Sequence, residues 1–108
     1  MRASIVFTTV PNINVARRIA KTLLQQRLVA CIYVASCGES HYWWRGKIEK
    51  AREISLTIKT SKKSLPKLMR TLKKIHPYEI PEILGVCVDS GNESYMNWLA
   101  KETKANRR

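Results

Sequence analysis

What most restricts the fold of this chain is the order in which its apolar residues change period. Residues 4–10 form a nearly continuous β-branched and aromatic run, Ser-Ile-Val-Phe-Thr-Thr-Val, the pattern of a strand buried on both faces. Pro11 stops it, and Asn12 can cap the segment that follows. From Val15 the apolar residues fall at Val15, Ala16, Ile19, Ala20, Leu23 and Leu24, which is helical spacing, and the helix is expected to end near Arg27. Leu28 to Ala35 is a second continuous apolar run, read as a central strand. Gly38 and Glu39-Ser40 mark a turn or bulge before His41-Tyr42-Trp43-Trp44, and Arg45-Gly46-Lys47 breaks the pattern again. Residues 53–60 alternate cleanly. Ile54, Leu56 and Ile58 lie on one side, and Ser55, Thr57 and Lys59 lie on a wet or interfacial side.

A second helical stripe follows at Leu65, Leu68, Met69, Leu72 and Ile75, with Pro66 tolerated only in its first turn. Ile83 to Val88 is a last strand. A terminal helix then begins at a cap on Asn92 or Ser94, with Tyr95, Met96, Trp98 and Leu99 as its buried side, and Lys101 to Arg108 forms a frayed basic tail. The order β-α-β-β-α-β plus a helix predicts an α+β, ferredoxin-like antiparallel sheet with helices on one face and a C-terminal helix. The opposite face then needs cover. Trp43 and Trp44 are too apolar to leave in water, so oligomerisation through the sheet is the expected solution.

Length and composition bound the rest. With 108 residues, one domain spanning 1–108 is expected. No apolar run approaches the roughly 18 residues of a membrane span, and the short N-terminal run lacks a signal-peptide cleavage site, so a cytoplasmic protein is expected. Cys31, Cys37 and Cys87 are odd in number and lack C-x-x-C spacing, which fits reduced, small buried hydrophobes better than a disulfide scaffold. The formal charge is +12, and Lys62 to Lys74 carries six cations with no acid. Lys63, Lys67, Arg70 and Lys74 nevertheless recur at helical spacing, as the solvated side of an amphipathic helix would.

Little in the chain announces catalysis. There is no Gly-rich phosphate loop, no nucleophile elbow and no paired metal-ligand spacing. Tyr42-Trp43-Trp44-Arg45-Gly46-Lys47 sets aromatics beside cations, yet adjacent tryptophans point to opposite strand faces, so nucleic-acid stacking is disfavoured and an interface role preferred. The most densely equipped stretch is His76-Pro77-Tyr78-Glu79-Ile80-Pro81-Glu82, between the second helix and the last strand. The plain reading of His76 is a helix-terminal residue whose charge complements the dipole and whose ring caps a carbonyl.

Taken together, these stretches resemble the CutA divalent-cation-tolerance family. The pieces are Thr8-Thr9-Val10-Pro11, Leu28-Val29-Ala30-Cys31, Tyr42-Trp43-Trp44-Arg45-Gly46-Lys47-Ile48, Ile58-Lys59-Thr60, the 76–82 heptapeptide, and Gly91-Asn92 leading to Tyr95 and Trp98. The resemblance implies a non-enzymatic, compact homotrimer similar to PII-type signalling proteins, with clefts at subunit boundaries and Trp43 and Trp44 in the interface. It implies a link to metal tolerance and no required cofactor, with Cu(II) or another divalent ion as a weakly held ligand. Of the family's copper-ligand positions only His76 matches, because Thr8 and Ile75 stand where a Cys and a second His are expected. The cleft lining it implies is Cys31, Lys59, His76, Tyr78 and Glu79. The alternative is a structural or signalling adaptor trimer whose basic surface docks an acidic partner or nucleic acid.

Overall fold

The computed structural model describes residues 3–103. Its elements are β1 (Ala3–Val10), α1 (Ile13–Gln25), β2 (Cys31–Trp44), β3 (Lys47–Ser61), α2 (Leu65–Ile75), β4 (Leu84–Val88) and α3 (Glu93–Glu102). The sheet runs β2-β3-β1-β4 with every neighbour antiparallel, which is the expected split β-α-β topology.

Each helix forms for local reasons. Asn12 accepts the Val15 N–H at 2.9 Å through its side chain and so caps α1. At the other end Arg27 takes a left-handed φ of 58°. There the N–H of Leu28 reaches Leu23 O and that of Arg27 reaches Leu24 O. This pair of bonds satisfies the last carbonyls and brings buried Leu23 and Leu28 together. Pro66 sits in the first turn of α2, where its missing N–H costs nothing.

Period two decides the faces of the sheet. Leu56 and Ile58 of β3, with Val6 and Val10 of β1, face α1 and α2 and are fully buried with Ile19, Leu23, Leu68 and Leu72. The intervening residues form the other face. Cys31, Lys59, Ile5 and Val86 share one cross-strand row, and Tyr33, Thr57, Phe7 and Leu84 share the next. On this second face Tyr33 is 63% exposed and Leu84 57%. Apolar side chains of that size form a patch across the sheet that the described residues leave exposed.

The strands differ greatly in length. The 15 residues of β3 span about 46 Å at ordinary rise per residue, so the β2–β3 hairpin sets the 44 Å long dimension of the molecule. Before residue 54 β3 has no partner in β1, and residues 47–53 project with β2 as a two-stranded arm. It closes through a two-residue turn whose centre, Arg45 and Gly46, has φ of 52° and 81°, both positive as a type I′ hairpin requires.

Several expectations need correction. The second strand begins at Cys31 rather than Leu28, though Leu28 and Val29 are buried in the connection, and it runs on through Gly38 to Trp44. Cys37 and Cys87 are exposed rather than buried, because one sits in a bulge and the other on edge strand β4. On α3 only Leu99 is buried; Tyr95 and Trp98 stack on each other with ring centroids 5.5 Å apart and stay over a third exposed. Of the basic tail, Lys101 and Glu102 complete α3, Thr103 is buried against it, and residues 104–108 lie outside the described residues. The cationic stripe Lys63, Lys67, Arg70 and Lys74 is exposed, as its spacing predicts.

Candidate functional site

A bulge in β2 builds the site. Ala35 pairs with Ser55 and Gly38 with Glu53, so Ser36 and Cys37 together oppose Ile54 alone. One extra residue reverses the facing of every later side chain in the strand. Ser40, Tyr42 and Trp44 are thereby turned onto the same face as Glu53 and Ala51, while Trp43 joins His41 and Ile48 on the opposite face. Gly38 suits this point, because a Cβ there would stand a tight 3.0 Å from the Glu53 carbonyl oxygen.

The heptapeptide closes the site from the other side. β4 pairs with β1 only as far as Phe7, so the edge of β1 is free at Thr8 and Thr9. His76 takes that edge. Its Nε2 lies 2.9 Å from the Thr9 carbonyl oxygen and 3.1 Å from Thr8 Oγ1, and its Nδ1 accepts the Tyr78 N–H at 3.1 Å. A carbonyl can only accept and an N–H can only donate, so these partners assign the neutral tautomer with the proton on Nε2. The ring does bond a carbonyl, as the plain reading expected. The carbonyl belongs to β1 rather than to the helix, and the ring is neutral rather than charged.

Tyr78 packs against this ring at 4.9 Å and sends its hydroxyl to Glu53 Oε2 at 2.6 Å. Ser40 donates to Glu53 Oε1 at 2.5 Å. One carboxylate therefore ties the 76–82 segment to both strands of the arm. Between them lies an open cleft of about 690 Å³, walled by Tyr42, Trp44, Glu53, Tyr78, Glu79 and Glu82 among others.

Burial governs the titrations here. Desolvation holds the His76 imidazole below its ordinary pKa, and the Thr9 hydrogen bond and the Glu53 charge offset it only in part. The Tyr78 phenol is pushed well above its ordinary value by burial first, then by its hydrogen bond to Glu53 and that charge, with Tyr42 adding a little.

The residues expected to share a cleft are only partly brought together. Tyr78 and Glu79 line it, and His76 stands behind Tyr78 as its support. Cys31 and Lys59 belong to the row of Ile5, four residues along β1 from Thr9, or about 13 Å at strand rise. Within one subunit they cannot reach the same ligand. Among the described residues no group of three or more His, Cys, Asp or Glu is placed to hold a metal ion. A resident metal site does not fit the donors of a single subunit. Glu53, Ser40 and Tyr42 were missed by sequence reasoning. Period two already put Glu53 on the wet face of β3, but Ser40 and Tyr42 reach it only because of the bulge.

A split β-α-β fold with an overlong central hairpin, and a cleft where that hairpin meets the 76–82 segment, is the class to which this protein's architecture points. Residues 4–102 match the family model described as CutA1 divalent ion tolerance protein, and the chain belongs to that family. It is 41% identical over 100 residues to the divalent-cation tolerance protein CutA of Pyrococcus horikoshii, covering 93% of this chain and 97% of that one. Similarity to the Thermus thermophilus protein of the same name is 39%, covering 92% and 96%. The solved structure of CutA from Xylella fastidiosa superposes with a TM-score of 0.91 at 36% identity, covering 94% of this chain and 97% of that chain.

The neutral His76 has a consequence for stability. Above about pH 6.5, its ordinary value, the ring is neutral whether the chain is folded or unfolded and contributes no pH dependence. As pH falls through that value the unfolded chain binds a proton that the native ring resists, so stability is lost on acidification. Chemical denaturation at pH 7 and pH 5.5 is expected to show a smaller loss for His76→Gln than for the wild-type protein. An equal loss in both would mean that His76 is not held neutral.

Proposed function

We propose that this protein is a non-enzymatic homotrimer of the divalent-cation response. In this reading it takes up Cu(II) or another divalent ion weakly, at the cleft beside His76, where a neighbouring subunit completes the wall. The observation that carries the reading is the uncovered sheet face. Phe7, Tyr33, Leu84 and Val86 lie side by side and part-exposed, and covering what remains of each is worth roughly 1 kcal/mol. The arm adds Trp43, 71% exposed, and Ile48, directly opposite it. Association of copies through this face and arm covers both, with Trp43 and Trp44 as interface residues.

Self-association also gives Cys31 and Lys59 a role. They lie on the face that the reading buries between subunits, so a neighbour's arm could bring a Tyr78–Glu79 cleft to them. The metal link comes from the family, whose relatives carry divalent-cation tolerance in their names. Weak uptake is what the donors favour. His76 has both nitrogens engaged, so using it as a ligand costs a bond to Thr9 or Tyr78, and the remaining donors are hard carboxylates and a phenol. The absence of a paired-cysteine motif keeps a cytoplasmic setting the preferred one.

Sedimentation velocity is expected to return a species of three chains for the wild-type protein. Tyr33→Asp, which leaves the helix-side core untouched, should shift it toward single chains. A wild-type protein that sediments as one chain at micromolar concentration would contradict the reading. Equilibrium dialysis against Cu(II) is expected to show lower uptake by His76→Ala than by wild type, and equal uptake would remove His76 from the account.

A further inference from the structure

We propose that the cleft between the 76–82 segment and the arm is a receptor for a small organic cation of the guanidinium type. Tyr42 and the cleft side of Trp44 supply the ring faces, the rest of Trp44 being left to the interface proposed above, and Glu53, Glu79 and Glu82 supply the counter-charge. The proposal rests on the cleft being a binding site, as argued above, and names the chemical class it takes.

The first observation is a reversal of charge. The chain carries 20 lysines and arginines against eight acids, yet three of those eight line this one cleft and no lysine or arginine does. α1 and α2, by contrast, contain no acid at all. In so basic a molecule an acidic hollow is a place where a cation is attracted rather than repelled.

The second observation is that the chain already sets a guanidinium at the mouth. Arg45, in the arm's turn, places its guanidinium carbon 5.3 Å from the centre of the Trp44 ring and a terminal nitrogen 3.8 Å from Glu79 Oε1. Ring face and carboxylate together are the two contacts by which a guanidinium is recognised. Arg45 holds them loosely. Its side chain is 75% exposed and its partner Glu79 73%, so the ion pair contributes little and a free ligand can displace it.

The third observation is preorganisation. Glu53 is fixed by two hydroxyl donors, Tyr78 and Ser40, one on each oxygen. Each carboxylate oxygen has a second lone pair, so the group can still accept from a ligand without moving. A planar cation fits this arrangement better than a bare metal ion, because the described residues offer no cluster of three metal donors.

The probe is agmatine, a primary amine bearing a guanidinium, titrated calorimetrically into the full protein in about 150 mM KCl. Saturable binding is expected, and Arg45→Asn should tighten it by about threefold, since the internal competitor is gone. Asparagine before Gly46 also suits the type I′ turn, so this variant should fold at least as well as wild type. Glu79→Gln and Trp44→Leu should each weaken binding by about threefold to tenfold, and Trp44→Phe should largely retain it. Four results would each overturn the proposal. They are no saturable heat at millimolar agmatine in wild type and Arg45→Asn alike, weaker binding by Arg45→Asn, affinity equal to wild type in both Glu79→Gln and Trp44→Leu, or the same heat when KCl is titrated in place of agmatine. Sedimentation and Cu(II) uptake measured on the same samples separate this failure from that of the trimeric metal-response reading, which stands if both are intact.

Discussion

The hydrogen bonds of one imidazole set where the rest of the site can be. β4 is too short to pair with the end of β1, which leaves the Thr9 carbonyl on an open edge. His76 fills the gap with a ring nitrogen and turns the chain out of α2 along that edge, with its other nitrogen pinning the Tyr78 N–H. An unpaired buried carbonyl costs about 1–3 kcal/mol, so the contact stabilises the fold as well as positioning the loop. Everything downstream depends on it: Tyr78 is placed over the arm, its hydroxyl finds Glu53, and Glu53 in turn holds Ser40.

The arm answers with its own device. The bulge at Ser36-Cys37 is a single-residue surplus, yet it decides which aromatic residues meet the loop. Without it His41 and Trp43 would face Glu53, and Ser40, Tyr42 and Trp44 would lie on the opposite face of the arm. Loop and arm are thus matched by two local irregularities, a short edge strand and a bulge. The regular parts of the fold serve to bring them within hydrogen-bonding distance.

Much of the architecture was legible because period is a robust signal. Ile54, Leu56 and Ile58 alternating with Ser55, Thr57 and Lys59 assigned both faces of β3, and the stripe from Leu65 to Ile75 marked α2 within a residue. What stayed hidden depends on register, which a one-dimensional pattern does not carry. Gly38 advertised an irregularity but not which strand carries the surplus, so Glu53 could not be paired with Ser40. How far Cys31 and Lys59 stand from Tyr78 within one chain stayed hidden for the same reason, since only pairing puts them in the row of Ile5, four residues along β1 from Thr9. Burial of Tyr95 and Trp98 was overestimated because helical spacing reports a face, not what covers it.

The most direct test of this account is the protonation state of His76, read by ¹⁵N NMR of the imidazole nitrogens in the metal-free protein. The account expects a neutral ring at pH 7 with its proton on Nε2, a hydrogen-bonded Nδ1, and no titration until the pH is below the ordinary histidine value of about 6.5. A ring that is charged at pH 7, or that carries its proton on Nδ1, would break the link between β1 and Tyr78 on which the site is built.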